Sequence, residues 1–182
     1  KALDYAGNQT ISTFGPFAIV DNQAPSAPSI TVVPEYIDGT WVTSSLAVIA
    51  SGSTDDFTAI DNLRYYYSVN GGANYYPGNN VIFTNEGVQT VYFRVRDESG
   101  NFSSAASKVV KIDFSAPAVP DYSAVSNSLS YVAGTWATSP VEFTLSGSSD
   151  AISAVAGYEY RIDGGLWQNG STAVLSSSGK YS

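Results

Sequence analysis

The chain has 182 residues and a net charge of −8, from sixteen carboxylates against eight Lys and Arg, and it contains no Cys, His or Met. Without Cys there is no disulfide, thiolate nucleophile or Cys-based zinc site, and without His the commonest general base and transition-metal ligand are missing. The acidic balance, with no basic stripe, disfavours nucleic acid, and no apolar run approaches the ~18 residues of a membrane span.

The elements follow one another as short strands and turns. Asp4-Tyr5-Ala6-Gly7-Asn8 reads as a tight turn with its glycine in the left-handed region. Asp21 through Pro25 forms a short linker stiffened by proline. Gly39-Thr40-Trp41 precedes a strand whose Leu46, Val48 and Ala50 face inward, and a loop carrying Asp55, Asp56 and Asp61 follows. In the next strand Leu63, Tyr65, Tyr67 and Val69 face the core, while Arg64, Tyr66, Ser68 and Asn70 face solvent, because side chains alternate along a strand. Asn70-Gly71 is a hairpin signal. Val91, Phe93 and Val95 alternate with Tyr92, Arg94 and Arg96 before the turn Asp97-Glu98-Ser99-Gly100-Asn101 and the linker Asp113 through Pro117. Beyond it, Val141, Phe143 and Leu145 form a second inward set and Asp163-Gly164 a second hairpin. No window has a helical period. With 43% hydrophobic residues the chain has enough apolar material for a core, and Ser, Thr, Asn, Gly and Tyr fill the places that charges leave.

The sequence also repeats itself. Gly39-Thr40-Trp41 recurs as Gly134-Thr135-Trp136, 95 positions later, and Ser51-Gly52-Ser53 with Asp55 recurs as Ser146-Gly147-Ser148 with Asp150. The Tyr-rich strand Leu63–Gly72 matches Ala156–Gly165, and Asp4–Asn8 matches Asp97–Asn101, both at an offset of 93. Landmarks in fixed order imply a period of about 93 residues with about seven strands each, the size of one small β-sandwich. Residues 1–25 then read as the C-terminal part of a preceding repeat, its turn and last strand. Residues 26–117 read as a complete repeat, and 118–182 as one lacking its last strands. Together with the absent Met, this reads as a segment of a longer polypeptide.

The strings Tyr67-Ser68-Val69-Asn70-Gly71-Gly72 and Asn85 through Asn101 resemble bacterial immunoglobulin-like, fibronectin-III-like tandem repeats of surface and secreted proteins. The resemblance covers the whole chain and implies an all-β fold of tandem immunoglobulin-like β-sandwich repeats. It implies an extracellular or cell-surface bacterial location, as in adhesins, S-layer-associated proteins and secreted glycan-degrading enzymes. Function is not implied, because such repeats serve as spacers, adhesive tips and enzyme accessories alike.

In a sandwich of this class the loops at one end lie beside the incoming linker. That end gathers Asp21, Asp55, Asp56 and Asp97 with Asn101, and Asp61 stands nearby. At the next junction Asp113, Asp121 and Asp150 occupy corresponding places. Clusters of oxygen ligands suit Ca²⁺, which takes six to eight of them, and the resemblance points the same way, since related adhesin repeats are stiffened by calcium between domains. The alternative is that each Asp caps its own turn by accepting backbone N–H bonds. Trp41, Trp136, Trp167, Tyr66, Tyr75 and Tyr76 are candidates for stacking sugar rings, although Trp41 and Trp136 stand just before core strands, as structural plugs do.

No nucleophile elbow, P-loop or metalloprotease motif is present, and the acids recur with the repeat where an active site occurs once. The expectation is therefore not an enzyme but a structural stalk or spacer segment, calcium-stiffened at its junctions. The alternative is a carbohydrate- or protein-binding module, or an accessory region of a secreted glycan-active enzyme. Expected partners are neighbouring repeats, a cell-surface glycan or protein, and a second copy exchanging strands head to tail.

Overall fold

A computed structural model describes residues 1–13, 15 and 20–182. Its regular structure is extended except for one 3-10 turn at Ile60–Asn62. The strands are β1 (Ala2–Leu3), β2 (Gln9–Thr10), β3 (Ser29–Val33), β4 (Trp41–Val42), β5 (Leu46–Ser51), β6 (Arg64–Ser68), β7 (Tyr76–Pro77) and β8 (Asn80–Phe83). They continue as β9 (Gly87–Arg96), β10 (Ala106–Ile112), β11 (Asp121–Ser126), β12 (Leu129–Ser130), β13 (Val141–Ser146), β14 (Glu159–Tyr160), β15 (Gln168–Asn169) and β16 (Thr172–Leu175). The sheets run β4-β10-β9-β6-β7, β3-β5-β8 and β12-β11-β13-β16, with two-stranded pairs β1-β2 and β14-β15. The chain is all-β with several sheets, an organisation consistent with a β-sandwich. The last strand expected within residues 1–25 involves residues 14 and 16–19, which lie outside the described residues.

The chain divides into two compact units. The first comprises Lys1–Val32, Val48–Val81 and Thr90–Lys108. Its core is Val48, Ala50, Leu63, Val91, Phe93 and Val95, all at most 5% exposed. Alternate residues of β9 are buried and the residues between them are not, which is the signature of a sheet with one apolar face. β6 runs antiparallel to β9 and sets Arg64 opposite Arg96, Tyr66 opposite Arg94 and Tyr67 opposite Phe93.

The second unit comprises Val33–Ala47, Ile82–Gln89 and Val109–Ser182. It buries Leu46, Phe83, Val110, Ile112 and Val141. Trp41 and Val42 of β4 pair in parallel with Lys111 and Ile112 of β10. β11 runs antiparallel to β13 over six residues, and β16 completes that sheet on the other side of β13. Phe143 and Leu145 of β13 are only half-buried. Among the described residues β14 pairs with β15 alone, so no counterpart of the long β9 strand covers this face. Ala156, expected inside as the counterpart of Leu63, is exposed.

Two expectations for the Tyr-rich strand need correction. Val69 is 51% exposed and Ser68 is fully buried, the reverse of the alternation read from sequence. β6 ends at Ser68, whose hydroxyl accepts the Gly72 N–H at 3.0 Å and bonds Asn70 Oδ1 at 2.8 Å. The hydroxyl organises the loop from the inside, and the strand period stops there. The turn also shifts by one residue, because Gly71 and Gly72 have positive φ and Asn70 does not. Asp163-Gly164 behaves as expected, with φ of 51° and 71° and a closing bond from Gly165 N–H to Ile162 O at 2.9 Å.

Several local bonds recur at or close to the offsets of the sequence similarity. Tyr36 Oη donates to Thr40 O as Tyr131 Oη does to Thr135 O, and Thr40 Oγ1 donates to Ile37 O as Thr135 Oγ1 does to Val132 O. The Ser26 N–H bonds Thr54 O as the Ala118 N–H bonds Ser149 O. Asp4 and Asp97 hold the same turn, each joined at its backbone N–H to the carbonyl of the Asn four residues on.

Candidate metal centre

Three loops of the first unit each contribute one aspartate, and each is placed by its own backbone. Asp21 Oδ1 accepts the Gln23 N–H at 3.0 Å. Asp55 Oδ1 accepts the N–H groups of Phe57 and Thr58 at 3.2 and 2.8 Å. Asp97 Oδ1 accepts those of Gly100 and Asn101, and Asn101 Nδ2 donates to Asp97 Oδ2 at 2.7 Å. The turn-capping role expected as the alternative is thus present in all three. It leaves oxygens over.

The Oδ2 atoms of Asp21 and Asp55 are buried and accept no hydrogen bond. One oxygen from each of Asp21, Asp55 and Asp97 lies within 4.8 Å of the other two. Three carboxylates so close, two with an orphaned buried oxygen, repel one another unless a cation or protons intervene. The donor set is oxygen only, which favours a hard cation such as Ca²⁺ over metals that select nitrogen or sulfur. Carboxylate, carbonyl and water oxygens would together make up its six to eight ligands.

The arrangement also ties the linker to the turn. Asn101 Nδ2 donates to Asp21 O at 3.2 Å and to Gln23 O at 3.0 Å, so one amide holds the linker carbonyls and the Asp97 carboxylate together. Thr58 Oγ1 accepts the Glu98 N–H at 3.2 Å and joins the Asp55 loop to the same turn.

Protonation follows the hydrogen bonding. Burial pushes the Asp97 carboxyl up, but bonds from the Asn101 side chain and from the backbone of Asn101, Gly100 and Ser99 outweigh it and hold the group below the usual carboxylate range. The Asn8 side chain lowers Asp4 in the matching turn, with backbone bonds adding to it. Backbone N–H groups of Ile152 and Ser153 lower Asp150.

The other acids expected at the junctions stand apart. Asp56 and Asp61 are exposed and outside the group. Asp113 is buried with Oδ1 on the Ser115 N–H, Asp150 caps its own loop and Asp121 is exposed; none joins a three-acid group among the described residues. Sequence reasoning passed over Glu86, whose Oε1 accepts the Phe114 N–H at 2.6 Å and the Ser115 hydroxyl at 2.9 Å, holding the second linker. It also passed over Thr58. Neither carries a motif, since both act through contacts distant in sequence.

The aromatics divide. Trp41 is half-buried in β4, with the Lys111 ammonium 5.7 Å from its ring centre. Trp136 is 75% exposed, so the equivalent position is no plug there. It borders an open groove of about 1020 Å³ in the second unit, lined also by Tyr131, Phe143, Leu145, Tyr160 and Tyr181. Trp167 is exposed with the Arg161 guanidinium 5.0 Å from its ring. Comparison with protein-family models and with curated proteins finds no match to this chain.

Proposed function

We propose that this chain is a stalk or spacer segment of an extracellular, multi-repeat bacterial surface protein, with calcium stiffening the junction at Asp21, Asp55 and Asp97. The observation that carries the reading is the convergence of these three carboxylates, with the Oδ2 atoms of Asp21 and Asp55 buried and without a donor. Asp21 lies on the linker preceding the sandwich at residues 26–117, so an ion here would fix that linker against the loops it enters. The bonds that recur between residues 36–40 and 131–135, and between the Asp4 and Asp97 turns, support tandem immunoglobulin-like units of about 93 residues.

The mechanism is mechanical. Each repeat buries its own core, prolines limit the linkers, and the ion removes hinge freedom by bridging linker, Asp55 loop and Asp97 turn. A ligand that binds only the folded form at a hundred times its Kd stabilises by about 2.7 kcal/mol. Calcium at that level should therefore raise the melting temperature by roughly 5–10 °C, and a chelator should remove the gain. Magnesium, smaller and reluctant to lose water, should do less. Identical melting with calcium and with chelator would remove the metal and leave a plain spacer.

A second reading, a glycan- or protein-binding module, is favoured by Trp136 at the open groove. Loss of glycan retention in a Trp136→Ala variant that still binds calcium would move the assignment there.

A further inference from the structure

The outer face of the sheet β9-β6-β7 concentrates positive charge on an acidic chain. Arg64 and Arg96 sit directly opposite each other, and Tyr66 sits opposite Arg94. Like charges in directly opposed positions destabilise a sheet, and three of the chain's eight cations gather here. Among the described residues none of the three is paired with a carboxylate; Arg64 Nη1 donates to the Asp61 carbonyl at 3.1 Å instead.

Arg94 is held in a specific way. Its guanidinium carbon lies 3.9 Å from the ring centre of Tyr75 and 3.9 Å from that of Phe102. Phe102 is fixed in turn by an edge contact with Tyr66 at 5.7 Å, and Arg96 lies 5.7 Å from the same ring. Flanking rings restrict the guanidinium plane, so the entropy of ordering this long side chain is already spent on folding. Yet Arg94 Nε is buried without an acceptor. Burial of Nε leaves the two terminal Nη groups as the donors an incoming anion meets, and a preorganised planar guanidinium matches a carboxylate, which they can bind through two parallel N–H bonds.

We propose that this face binds an acidic polysaccharide, a chain of uronic-acid rings, with Arg94 gripping a carboxylate, Arg64 and Arg96 holding neighbouring charges, and the Tyr75 and Phe102 rings lying against sugar C–H faces. Charge selects the occupant and the location. The chain carries −8 overall, so a polyanion is repelled from most of the surface and drawn to this face. The flanking rings, on a sheet face open to solvent, suit a stack of sugar rings better than an acidic peptide, whose carboxylates hang on flexible stems. The inference is independent of the calcium reading, since no residue is shared.

The test is binding of the full chain to polygalacturonate by calorimetry at low salt, with chelator throughout so that calcium bridging contributes nothing. Its methyl ester, which keeps the rings and removes the charge, and poly-glutamate serve as comparisons. Polygalacturonate should bind, its ester and poly-glutamate at least about tenfold more weakly, and Arg94→Lys should cost about tenfold although the charge is kept. The paired exposed variant Arg64→Gln with Arg96→Gln should also lose about tenfold, and it decides the matter if the Arg94 variant does not fold. Absence of wild-type binding, equal binding of poly-glutamate, or folded variants that bind like wild type would each overturn the proposal.

Discussion

Phe93 shows how much of the first unit rests on single side chains. It is fully buried on β9 between Val91 and Val95, which are fully buried too. Truncation there removes transfer energy and leaves a cavity, so Phe93→Ala should cost about 3–5 kcal/mol in denaturant unfolding. Val69, half-exposed, offers the contrast: Val69→Ser should change stability by no more than about 0.5 kcal/mol. Equal losses at the two positions would mean that Val69 packs into the core as Phe93 does. Asp97 carries a pH consequence at the same scale. Its folded pKa is depressed, so its contribution is fully present above the unfolded value near 3.9 and is lost as pH falls through the lower folded value. Asp4 and Asp150 are depressed as well and act in the same direction. Melting temperature should fall steeply below about pH 4, and Asp97→Asn should flatten that slope.

At the scale of elements the turns carry the specificity. Asp163 and Gly164 both lie at positive φ, the condition for a hairpin whose twist matches its strands. A methyl group at Gly164 would meet nothing within 4 Å, so the cost of Gly164→Ala is backbone strain alone, about 1 kcal/mol. Gly157 has open space and no positive φ, and Gly157→Ala should cost nothing or stabilise slightly. A pair of denaturant curves separates the two. The same local logic fails at Asn70-Gly71, where the buried Ser68 hydroxyl sets the loop and moves the positive φ values to Gly71 and Gly72.

For the whole molecule the informative variant is Asp21→Asn. The amide keeps an oxygen for the Gln23 N–H and removes one of three crowded negative charges. If the centre holds calcium, this variant should melt higher than wild type in chelator, because repulsion is relieved, and lower in saturating calcium, because a ligand is lost. Wild type and variant melting curves that never cross between the two conditions would argue against the ion. A simple turn cap predicts the same small change in both.

Much was readable from residues alone, because local chemistry is written locally. The alternation of Val91, Phe93 and Val95, the Asp-x-x-Gly-Asn turns and the Asp163-Gly164 hairpin depend on period and backbone sterics, and all three are present. The gathering of Asp21, Asp55 and Asp97 was an expectation taken from the sandwich class that the resemblance implied, and it did not say which acids would meet. Asp56, adjacent to Asp55, is exposed, while Asp97, 42 positions from Asp55, is buried beside it. That selection, like the clamping of Arg94 by Tyr75 and Phe102 or the grip of Glu86 on the second linker, belongs to tertiary structure. Sequence sets the strand period and most of the turns, through interactions a few residues long. Which side chains converge in space depends on register between distant segments, and only the folded chain decides that.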